Sequence, residues 1–582
     1  MTKLKKSDNL VSKTRLEKGD LNMPKKIEYN KVVKFDTLKE MMELSVTDAA
    51  KQVAFKYRDE KEKDKIVDVT YEEFQNDTFY LGTALSNVNM TSNHIAVIGD
   101  NSYKWLTVYL TVLKSDGVIV PIDKELTAKE IINVVKRSES EVLFYAEKYE
   151  QYIEEFKKEL PNVKYFIGFA REKDEDNVLS YDSFKASGKE KYEAGDKSYI
   201  SIEHNDTNKL KMLVFTSGTT GNPKGVMLTE HNLVSAVYYG LQVADIKTRC
   251  LSVLPYHHTY ESVVGILVAI HRRATICIND SLKNVLKNLN TFKPDYIYVV
   301  PAFTEKFYKS IWANAEKSGK DKLLKIMIPV SNGLRKIGID LRGVLFKSVH
   351  EAFGGNLKQI VCGGAPIRPE IGKFFNDIGM MLLNGYGISE CSPLVSVNRE
   401  KLNDPSTVGS ILPCCEVKIE NPNEDGDGEI WVKGDIVMMG YYKEPEKTAK
   451  VLKDGWFNTE DYGRINKKGQ LVINGRKKNV IVLNNGKNIY PEEIENYVMR
   501  VPYIQETIVK AVKNDQGQEI SLCAEVFLNQ EKVKELGIEN IEETLKKDVS
   551  KATKELPVWK RVTKTEIRET EFNKTTTNKI KR

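Results

Sequence analysis

The chain has 582 residues, 41% of them hydrophobic and 29% charged, and its 88 basic and 82 acidic side chains leave a net charge of +6. This composition is typical of a soluble globular protein and excludes a disordered chain, and the length allows more than one domain. The longest apolar run covers residues 263–270, which is too short to span a membrane. The small positive charge is compatible with weak peripheral contact with an anionic membrane but favours an ordinary lysine-rich, solvated surface. No basic stripe with interleaved aromatic residues indicates nucleic-acid binding.

The first part of the chain, residues 1–34, is interpreted as a polar N-terminal tail. Its first 26 residues are rich in lysine and contain no apolar stretch that resembles a signal peptide. The seven cysteines lie mostly inside apolar runs and have no C-x-x-C spacing, which favours free buried thiols over disulfides or zinc ligands. We therefore expect a cytoplasmic protein, and the sequence does not indicate its oligomeric state.

Apolar runs alternate with helical patterns from residue 94 onward. The first group predicts strands at 94–99, 117–123 and 142–145, with helices at 103–114 and 128–137. After residue 211 the pattern returns, with one helix from Asn232 and another after Pro369. Apolar runs lie at 212–215, 250–254, 274–278, 296–300, 357–361 and 381–384. Such alternation predicts a doubly wound parallel sheet, and the length fits two α/β layers.

The pattern of apolar and turn-forming residues changes at about residue 405. Up to residue 475, short alternating runs such as EVKIE, EIWVKG and QLVINGR are separated by Gly, Asp and Asn turns, which predicts a small antiparallel barrel or sheet. After Arg476, about one hundred residues are compatible with a small α+β domain. The predicted class is α/β, with an N-terminal domain over 35–476 and a C-terminal domain over 477–582.

Residues 214–225 read VFTSGTTGNPKG, an apolar run followed by a loop of hydroxyls, glycines and one lysine. Backbone N–H groups exposed by glycines, hydroxyl donors and a positive charge suit a polyphosphate. The loop is not a Walker motif, because Pro223 precedes Lys224 and Gly225 follows it. The alternative is an ordinary surface turn. The candidate phosphate-binding residues are Thr216, Ser217, Gly218, Thr219, Thr220, Gly221 and Lys224.

The stretch TSGTTGNPKG resembles the [ST]-S-G-[ST]-T-G-x-P-K-G signature of the AMP-forming adenylating enzymes, which include acyl-CoA synthetases, luciferases and peptide-synthetase adenylation domains. The resemblance covers about residues 35–582. It implies two doubly wound α/β subdomains and a small β-barrel, followed by a small mobile C-terminal lid domain. It also implies ATP, Mg²⁺ and CoA as reaction partners of a carboxylic acid.

The stretch LNGYGISE, residues 383–390, resembles the Y-G-x-[ST]-E motif of these enzymes. By this resemblance Tyr386 offers a ring face to adenine, and Gly387 lets the backbone approach a phosphate. Ser389 stands where threonine is usual and keeps the hydroxyl. Glu390 is the expected Mg²⁺ ligand, since Mg²⁺ prefers hard oxygen ligands.

Two further motifs complete the expected nucleotide site. In CGGAPI, Gly364 and Ala365 resemble the turn that borders adenine and the acyl carboxylate. In FNTEDYGRI and NGRKKN, Asp461 and Arg476 match an aspartate that binds both ribose hydroxyls and an arginine that contacts ribose and phosphate. Glu460 replaces the glycine that usually precedes this aspartate. The alternative for Asp461 and Arg476 is an ordinary surface salt bridge.

The end of the chain resembles the mobile part of the same enzymes. Lys478 matches the hinge about which the small domain turns, and Gly486 matches a loop that faces the CoA tunnel. In the final stretch FNKTTTNKIKR, Lys579 matches a lysine that bridges the acyl carboxylate and the α-phosphate, although Asn578 replaces the usual glycine. The alternative for Lys579 is a frayed basic tail.

The acyl pocket is expected between the phosphate loop and Tyr386. LPYHHTYE, residues 254–261, resembles the long-chain fatty-acyl members, in which the position of His258 borders the carboxylate; a pocket-wall histidine is the alternative. Some long-chain members place a gating tryptophan shortly after this histidine, but this chain has none between 105 and 312. Either the gate differs or the preferred acid is shorter.

The resemblance implies a fatty acid–CoA ligase that forms acyl-AMP and then acyl-CoA, with Lys579, Glu390 and Lys224 as catalytic residues. An acyl–acyl-carrier-protein synthetase or an aryl or medium-chain acid–CoA ligase would share these motifs. A peptide-synthetase module would need a carrier domain, and this chain stops at Arg582. A non-catalytic ligand-binding homologue is the alternative from another class.

Overall fold

The computed structural model describes residues 28–59, 61–62, 64–216, 223–483, 487–514, 516–574, 580 and 582. These residues form two large sheets with helices packed against them, a two-stranded ribbon and a small three-stranded sheet. The α/β class predicted from the alternating pattern is confirmed. Within the described residues, no helix is both long and apolar enough to cross a membrane.

The first two-fifths of the chain build most of the first sheet. Its helices are α1 Leu38–Ala49, α2 Tyr71–Asn87, α3 Tyr103–Leu113, α4 Ala128–Ser138, α5 Ile153–Glu159, α6 Tyr181–Glu193 and α7 Glu230–Val243. Its strands are β1 Val53–Arg58, β2 Ile66–Thr70, β3 His94–Ile98, β4 Val118–Ile122, β5 Val142–Tyr145, β6 Tyr165–Gly168, β7 Val178–Ser180, β8 Leu210–Thr216 and β9 Lys224–Thr229. The strands predicted at 94–99, 117–123 and 142–145 are thus confirmed within one or two residues.

Threonine caps fix the start of several helices. The hydroxyls of Thr70, Thr127 and Thr229 each accept a bond from the backbone three residues on, whose side chain bonds back to the threonine N–H. This reciprocal pair explains why α7 begins at Glu230 rather than at Asn232 as predicted, since Thr229 is the cap and Asn232 is already the third residue of the helix.

The middle of the chain supplies the parallel part of the second sheet. Its strands are β10 Arg249–Ser252, β11 Thr275–Ile278, β12 Tyr296–Val299, β13 Gln359–Cys362, β14 Met381–Tyr386 and β15 Ser396–Val397. Its helices are α8 Val268–His271, which continues a π-helix at Tyr260–Leu267, α9 Val285–Phe292, α10 Pro301–Lys317, α11 Asp321–Lys336, α12 Arg342–Leu345, α13 Lys347–Ala352 and α14 Pro369–Ile378.

The remaining elements are mostly antiparallel. They are β16 Gly409–Ile411, β17 Cys415–Glu420, β18 Gly428–Gly434, β19 Gly440–Tyr441, α15 Pro445–Val451, β20 Leu452–Lys453, β21 Trp456–Ile465 and β22 Gln470–Arg476. The C-terminal elements are β23 Ile481–Val482, β24 Asn488–Ile489, α16 Pro491–Val498, β25 Ile504–Lys513, β26 Glu519–Leu528, α17 Gln530–Glu535, α18 Ile541–Ala552 and β27 Val562–Arg568. The latter have their own apolar core, between residues 481 and 562.

Sheet topology explains where a cleft can form. The first sheet runs β19-β9-β8-β4-β3-β5-β6-β7 and the second runs β17-β18-β21-β22-β16-β15-β14-β13-β12-β10-β11-β1-β2. From β14 to β1 all neighbours in the second sheet are parallel, so the carboxyl ends of β10, β12, β13 and β14 meet at one edge. Ligands of doubly wound folds bind at such an edge.

The antiparallel segment predicted over 405–475 continues the second sheet. β15 pairs with both β14 and β16, and β16 pairs with β22, so β21 and β22 lie beside the parallel strands. The sequence did not show this join, because β15 has only two residues.

Candidate active site

One large cleft opens at the carboxyl edge of the second sheet. Its volume is about 2660 Å³, and its walls come from both large sheets and the C-terminal elements. It is lined by Thr216, Lys224, His258, Gly364, Ala365, Tyr386, Gly387, Ser389, Glu390, Asp461, Arg476 and Lys478. The structure therefore brings every described site candidate to one cavity. Ser217, Gly218, Thr219, Thr220, Gly221, Gly486 and Lys579 lie outside the described residues.

The two ends of the candidate phosphate loop are held by a β-hairpin. β8 and β9 pair antiparallel, with Thr216 opposite Lys224 at the open end. Arg137 donates a hydrogen bond to the carbonyl of Pro223 and forms an ion pair of 2.6 Å with Glu444. The Arg137 side chain thus connects the end of the hairpin to the start of α15, which holds the backbone at Lys224 in position beside the cleft.

Tyr441 contacts two charged side chains of the cleft, Lys224 and Glu390. The Lys224 Nζ lies 4.8 Å from the centre of the Tyr441 ring, and the Tyr441 hydroxyl donates to Glu390 Oε1 at 3.0 Å. Burial, and secondly the Glu390 carboxylate, raise the pKa of Tyr441 above its ordinary value, so it stays a donor at neutral pH.

Sequence reasoning missed Tyr441. It lies 51 residues after Glu390 and 217 after Lys224 and belongs to no motif named above. Its position is set by the two-residue strand β19, in which Tyr441 pairs with Val226 of β9. No signal in the sequence marks so short a strand.

The residues around Glu390 fit a magnesium ion bound together with phosphates. Mg²⁺ is usually held by one or two carboxylates plus substrate phosphates and water, rather than by an all-protein cage. The described residues contain no group of three or more His, Cys, Asp or Glu side chains able to hold a metal. Glu390, oriented by Tyr441 and facing the same cleft as Lys224, provides a single carboxylate of the required kind.

Asp461, Arg476 and Tyr386 form a second polar network. Asp461 and Arg476 are opposite each other on β21 and β22, and the Arg476 Nε lies 2.8 Å from Asp461 Oδ1. The Tyr386 hydroxyl donates to Asp461 Oδ2. Burial, and then the Asp461 carboxylate, raise the pKa of Tyr386 well above its ordinary value. Each carboxylate oxygen can accept more than one bond, so Asp461 can still bind a diol.

Glu460, which precedes this aspartate, has a backbone conformation that favours glycine. Its φ is 58°, in the left-handed region that costs a residue with a side chain about 1–2 kcal/mol. This backbone conformation explains why the similar enzymes usually have glycine at this position, since glycine adopts a positive φ without strain. In this chain Glu460 adopts it at a cost in energy, and the bend that directs Asp461 into the cleft is retained.

Two glycines of the cleft have distinct structural reasons. A Cβ on Gly387 would come within 1.5 Å of the Pro393 carbonyl oxygen, so any other residue would displace the 393 loop. Gly364 has a φ of 81°, while an added Cβ there would meet only Val300 at 3.6 Å. Gly387 is therefore required by packing, and Gly364 by its backbone conformation.

The histidine pair lies where β10 leads into the π-helix. The rings of His257 and His258 are 4.1 Å apart, and His257 Nε2 is 3.4 Å from Asp123 Oδ1. Burial, followed by the neighbouring His258, lowers the pKa of His257 well below its ordinary value, so this ring is neutral at pH 7. Next to the pair, the Thr259 and Ser389 hydroxyls are 3.4 Å apart, which joins this wall to Glu390.

An apolar wall continues the cleft beyond His258. It is made by α7, the π-helix and the strand ends, through Gly240, Ala244, Ile246, Val264, Val268, Tyr298 and Leu394. A Cβ on Gly240 would come within 3.0 Å of Leu394, so this glycine leaves space that a larger side chain would close. Apolar walls with a few polar groups at one end are typical of sites for amphipathic ligands.

The C-terminal elements close one side of the cleft. Ile580 and Arg582 line it, and Arg582 is held 2.6 Å from Glu495 of α16. Arg500, two residues after the end of α16, lies 3.0 Å from Glu370 of α14. Lys478, in a short 3₁₀ turn between β22 and β23, is exposed. Ile580 and Arg582 thus face the same cavity as Lys224 and Glu390.

The fold and the cleft together define an α/β enzyme that can bind a polyphosphate beside an apolar ligand. Residues 43–442 match the AMP-binding enzyme family. The chain belongs to this family, which confirms the resemblance read from the signature loop.

Two proteins of similar sequence support the same assignment. A protein of Mycobacterium bovis named long-chain-fatty-acid–CoA ligase FadD15 is 28% identical over 435 residues, which is 72% of this chain and 70% of the relative. A protein of Arabidopsis thaliana named long-chain-fatty-acid–[acyl-carrier-protein] ligase AEE15, chloroplastic, is 28% identical over 571 residues, 84% of this chain and 76% of the relative.

Solved structures confirm the fold. The anthranilate CoA ligase AuaEII in complex with anthranoyl-AMP aligns with a TM-score of 0.75 and 17% identity, over 94% of this chain and 96% of that one. ATP-bound MatB from Rhodopseudomonas palustris aligns with a TM-score of 0.71 and 19% identity, over 94% and 97%. At this identity the likeness concerns the fold alone.

Proposed function

We propose that this protein is an ATP-dependent fatty acid–CoA ligase of the AMP-forming type. One observation carries the proposal: a single cleft has Lys224, Glu390, Asp461 and Arg476 at one end and an apolar wall beyond His258 at the other. The charged end suits ATP, and the apolar wall suits the hydrocarbon part of an acid.

The first reaction joins the acid to AMP. A carboxylate oxygen attacks the α-phosphorus of ATP, a new oxygen–phosphorus bond forms, and pyrophosphate leaves with the electrons of the broken bond. Both partners are anions, so positive charge must be placed where they meet. Lys224 supplies one such charge, and Mg²⁺, when it is bound at Glu390, offsets charge on the phosphates.

The nucleoside is held by the second polar network. Asp461 accepts hydrogen bonds from the ribose hydroxyls, and Arg476 stays charged beside it. Tyr386 presents its ring beside the adenine, and its hydroxyl fixes the carboxylate of Asp461. Gly364, Ala365, Gly387 and Ser389 shape the backbone around the phosphate and the acyl carboxylate.

The second reaction transfers the acyl group to a thiol. The sulfur attacks the acyl carbon, the thiol proton passes to solvent or a base, and AMP leaves. Lys579 serves the first reaction, while Lys478 is the hinge and Gly486 lines the path of the thiol in the second. The described neighbours Ile580 and Arg582, which line the cleft, support the role of Lys579. The seven free cysteines suit a reducing compartment such as the cytoplasm.

A panel of acids tests the proposal. Purified protein is incubated with ATP, Mg²⁺ and acids from four to eighteen carbons as well as benzoate, and pyrophosphate release is measured. Saturated acids of long or medium chain should give the highest kcat/KM. If benzoate is preferred, the aryl alternative replaces the fatty-acid one, and if no acid gives pyrophosphate the protein is a ligand-binding homologue.

The thiol acceptor requires a separate measurement, because a relative named for an acyl-carrier-protein acceptor is as similar as one named for CoA. CoA and holo-acyl-carrier protein are compared with the preferred acid, and thioester formation is followed by mass spectrometry. We expect CoA to be the better acceptor. Thioester formed only on the carrier protein would contradict this part of the proposal.

A further inference from the structure

A concentration of exposed apolar side chains lies far along the chain from the signature loop. Nineteen large hydrophobic residues are exposed in the described part of the protein, and seven of them lie between 323 and 344. They are Leu323, Ile326, Val330, Ile337, Ile339, Leu341 and Val344, with exposed fractions from 39% to 74%. Single exposed apolar residues are normal, but a cluster of this size marks an interaction surface.

Three of these residues form one stripe on α11, and a fourth follows the helix directly. Leu323, Ile326 and Val330 follow each other at spacings of three and four residues, which places them within about 60° of the helix circumference, and Ile337 comes directly after the last residue of α11. A different side of α11 packs inward through Leu324 and Ser331. The helix therefore has a buried face and, separately, an apolar face in solvent. We call Leu323, Ile326, Val330 and Ile337 the apolar stripe.

Basic residues are concentrated in the segment that carries the apolar stripe. From Asp321 to Leu345, the segment that contains α11 and α12 holds five basic and two acidic residues, a net +3 in 25 residues, whereas the whole chain has +6 in 582. Asp321 lies 3.3 Å from Lys325 and Asp340 lies 2.7 Å from Arg342, so each acid is already beside a cation. Lys317, Lys320 and Lys347 flank the segment.

We propose that the apolar stripe and its basic rim dock this protein on the surface of an anionic lipid bilayer. Helices with exposed apolar residues beside lysines lie in the interface of a membrane, where apolar side chains enter the acyl boundary and lysines meet anionic headgroups. The same surface suits a second copy of the chain poorly. In a twofold dimer this patch would meet itself and bring like charges together.

The position of the segment connects docking to the cleft. α10 begins with Pro301, Ala302 and Phe303, which line the cleft, and leads directly into α11. Its 17 residues span about 25 Å. Docking through α11 thus holds the cleft within reach of the bilayer, from which an acid with a hydrocarbon tail can be taken.

Vesicle binding tests the proposal without ATP or acid, so it succeeds or fails independently of the ligase activity. The full chain is sedimented with vesicles of phosphatidylcholine and phosphatidylglycerol at 7:3, and with phosphatidylcholine alone. We expect binding to the anionic vesicles only, and weaker binding at high salt. Absence of binding to anionic vesicles would overturn the proposal.

Two pairs of variants locate the surface. Ile326→Asn with Val330→Asn, and Lys322→Glu with Lys336→Glu, should each lower binding to anionic vesicles about tenfold. The matched controls change exposed residues of the C-terminal elements, Leu536→Asn with Val558→Asn and Lys546→Glu with Lys547→Glu, and should bind as the wild type. Equal loss in patch and control variants would contradict the assignment. Melting temperatures within a few degrees of wild type exclude misfolding as the cause.

The oligomeric state separates the membrane from a second copy as the occupant. Sedimentation velocity is run on the wild type and on Ile326→Asn with Val330→Asn. The proposal expects the same species for both. A wild-type dimer that the variant converts to monomer would show that this face is a subunit interface, and would overturn membrane docking.

Discussion

Replacing Tyr441 by phenylalanine separates the two contacts that this side chain makes. The change removes the hydroxyl that donates to Glu390 at 3.0 Å but keeps the ring that lies 4.8 Å from the Lys224 Nζ. A hydrogen bond to a charged group contributes about 1.5–3 kcal/mol, which corresponds to roughly a 10- to 150-fold change in rate. We expect kcat/KM for pyrophosphate release to fall by that factor and the Mg²⁺ requirement to rise, because Glu390 loses its orientation.

Tyr442 provides a matched control for this variant. Its hydroxyl also donates to a glutamate, Glu139 at 2.7 Å, but this pair lies on the surface. Tyr442→Phe should therefore leave kcat/KM and the Mg²⁺ requirement as in the wild type. If Tyr441→Phe behaves as Tyr442→Phe does, Tyr441 does not orient Glu390 and the assignment of this end of the cleft is wrong.

Four further changes test other parts of the structure. Asp461→Ala should raise the apparent KM for ATP by about one to three orders of magnitude through loss of the ribose hydrogen bonds; equal use of ATP and 2′,3′-dideoxy-ATP by the wild type would contradict this role. Lys579→Ala should slow acyl-AMP formation about a thousandfold, since an ion pair at 4 Å is worth about 4 kcal/mol, and should spare thioester formation from supplied acyl-AMP. Lys478→Pro should instead spare acyl-AMP formation and slow thioester formation. Parallel loss of both steps in either variant would refute the division of roles. Glu460→Gly should raise the free energy of unfolding by about 1 kcal/mol because it relieves a φ of 58°, whereas Glu416→Gly, within the strand β17, should lower it. Burial raises the pKa of Glu261 from 4.5 to about 8, so the free energy of unfolding of the wild type should fall as pH rises from about 4.5 to 8. Glu261→Gln should reduce this pH dependence, as measured by chemical denaturation at several pH values. An unchanged pH dependence would contradict the assignment.

The parallel strands could be predicted because they are buried on both faces. β3, β4, β5, β12 and β13 consist almost wholly of apolar residues and stand out as short runs. The CGGAPI turn follows the carboxyl end of β13, and LPYHHTYE and YGISE lie at the carboxyl ends of β10 and β14 in the same sheet, so finding the strands also ordered part of the site. Lys224, Glu390, Asp461 and Arg476 line one cavity.

The helical segment α10 to α13 was not predicted. α11 carries apolar residues on its buried face and also on its exposed one, so its periodicity does not mark a single inward face. Pro329 inside the same helix adds a conflicting signal. The functional use of the exposed face could be recognised only after the fold showed which side remained in solvent.

Long-range contacts account for the rest of what sequence reasoning missed. Arg137 reaches the Pro223 carbonyl and Glu444, and each of these contacts joins separate elements. Tyr441 is placed by a two-residue strand, and β15, also of two residues, joins the parallel and antiparallel parts of the second sheet. Pairings of this kind depend on the assembled sheets and leave no local pattern.

The fate of one oxygen atom tests the central claim most directly. The preferred fatty acid, labelled with ¹⁸O in its carboxylate, is incubated with ATP, CoA and the enzyme, and the nucleotide products are analysed by mass spectrometry. Attack of the carboxylate on the α-phosphorus predicts AMP that carries one ¹⁸O, with unlabelled pyrophosphate, at one AMP per thioester formed. Labelled phosphate with ADP, or thioester formed without label in AMP, would contradict the account.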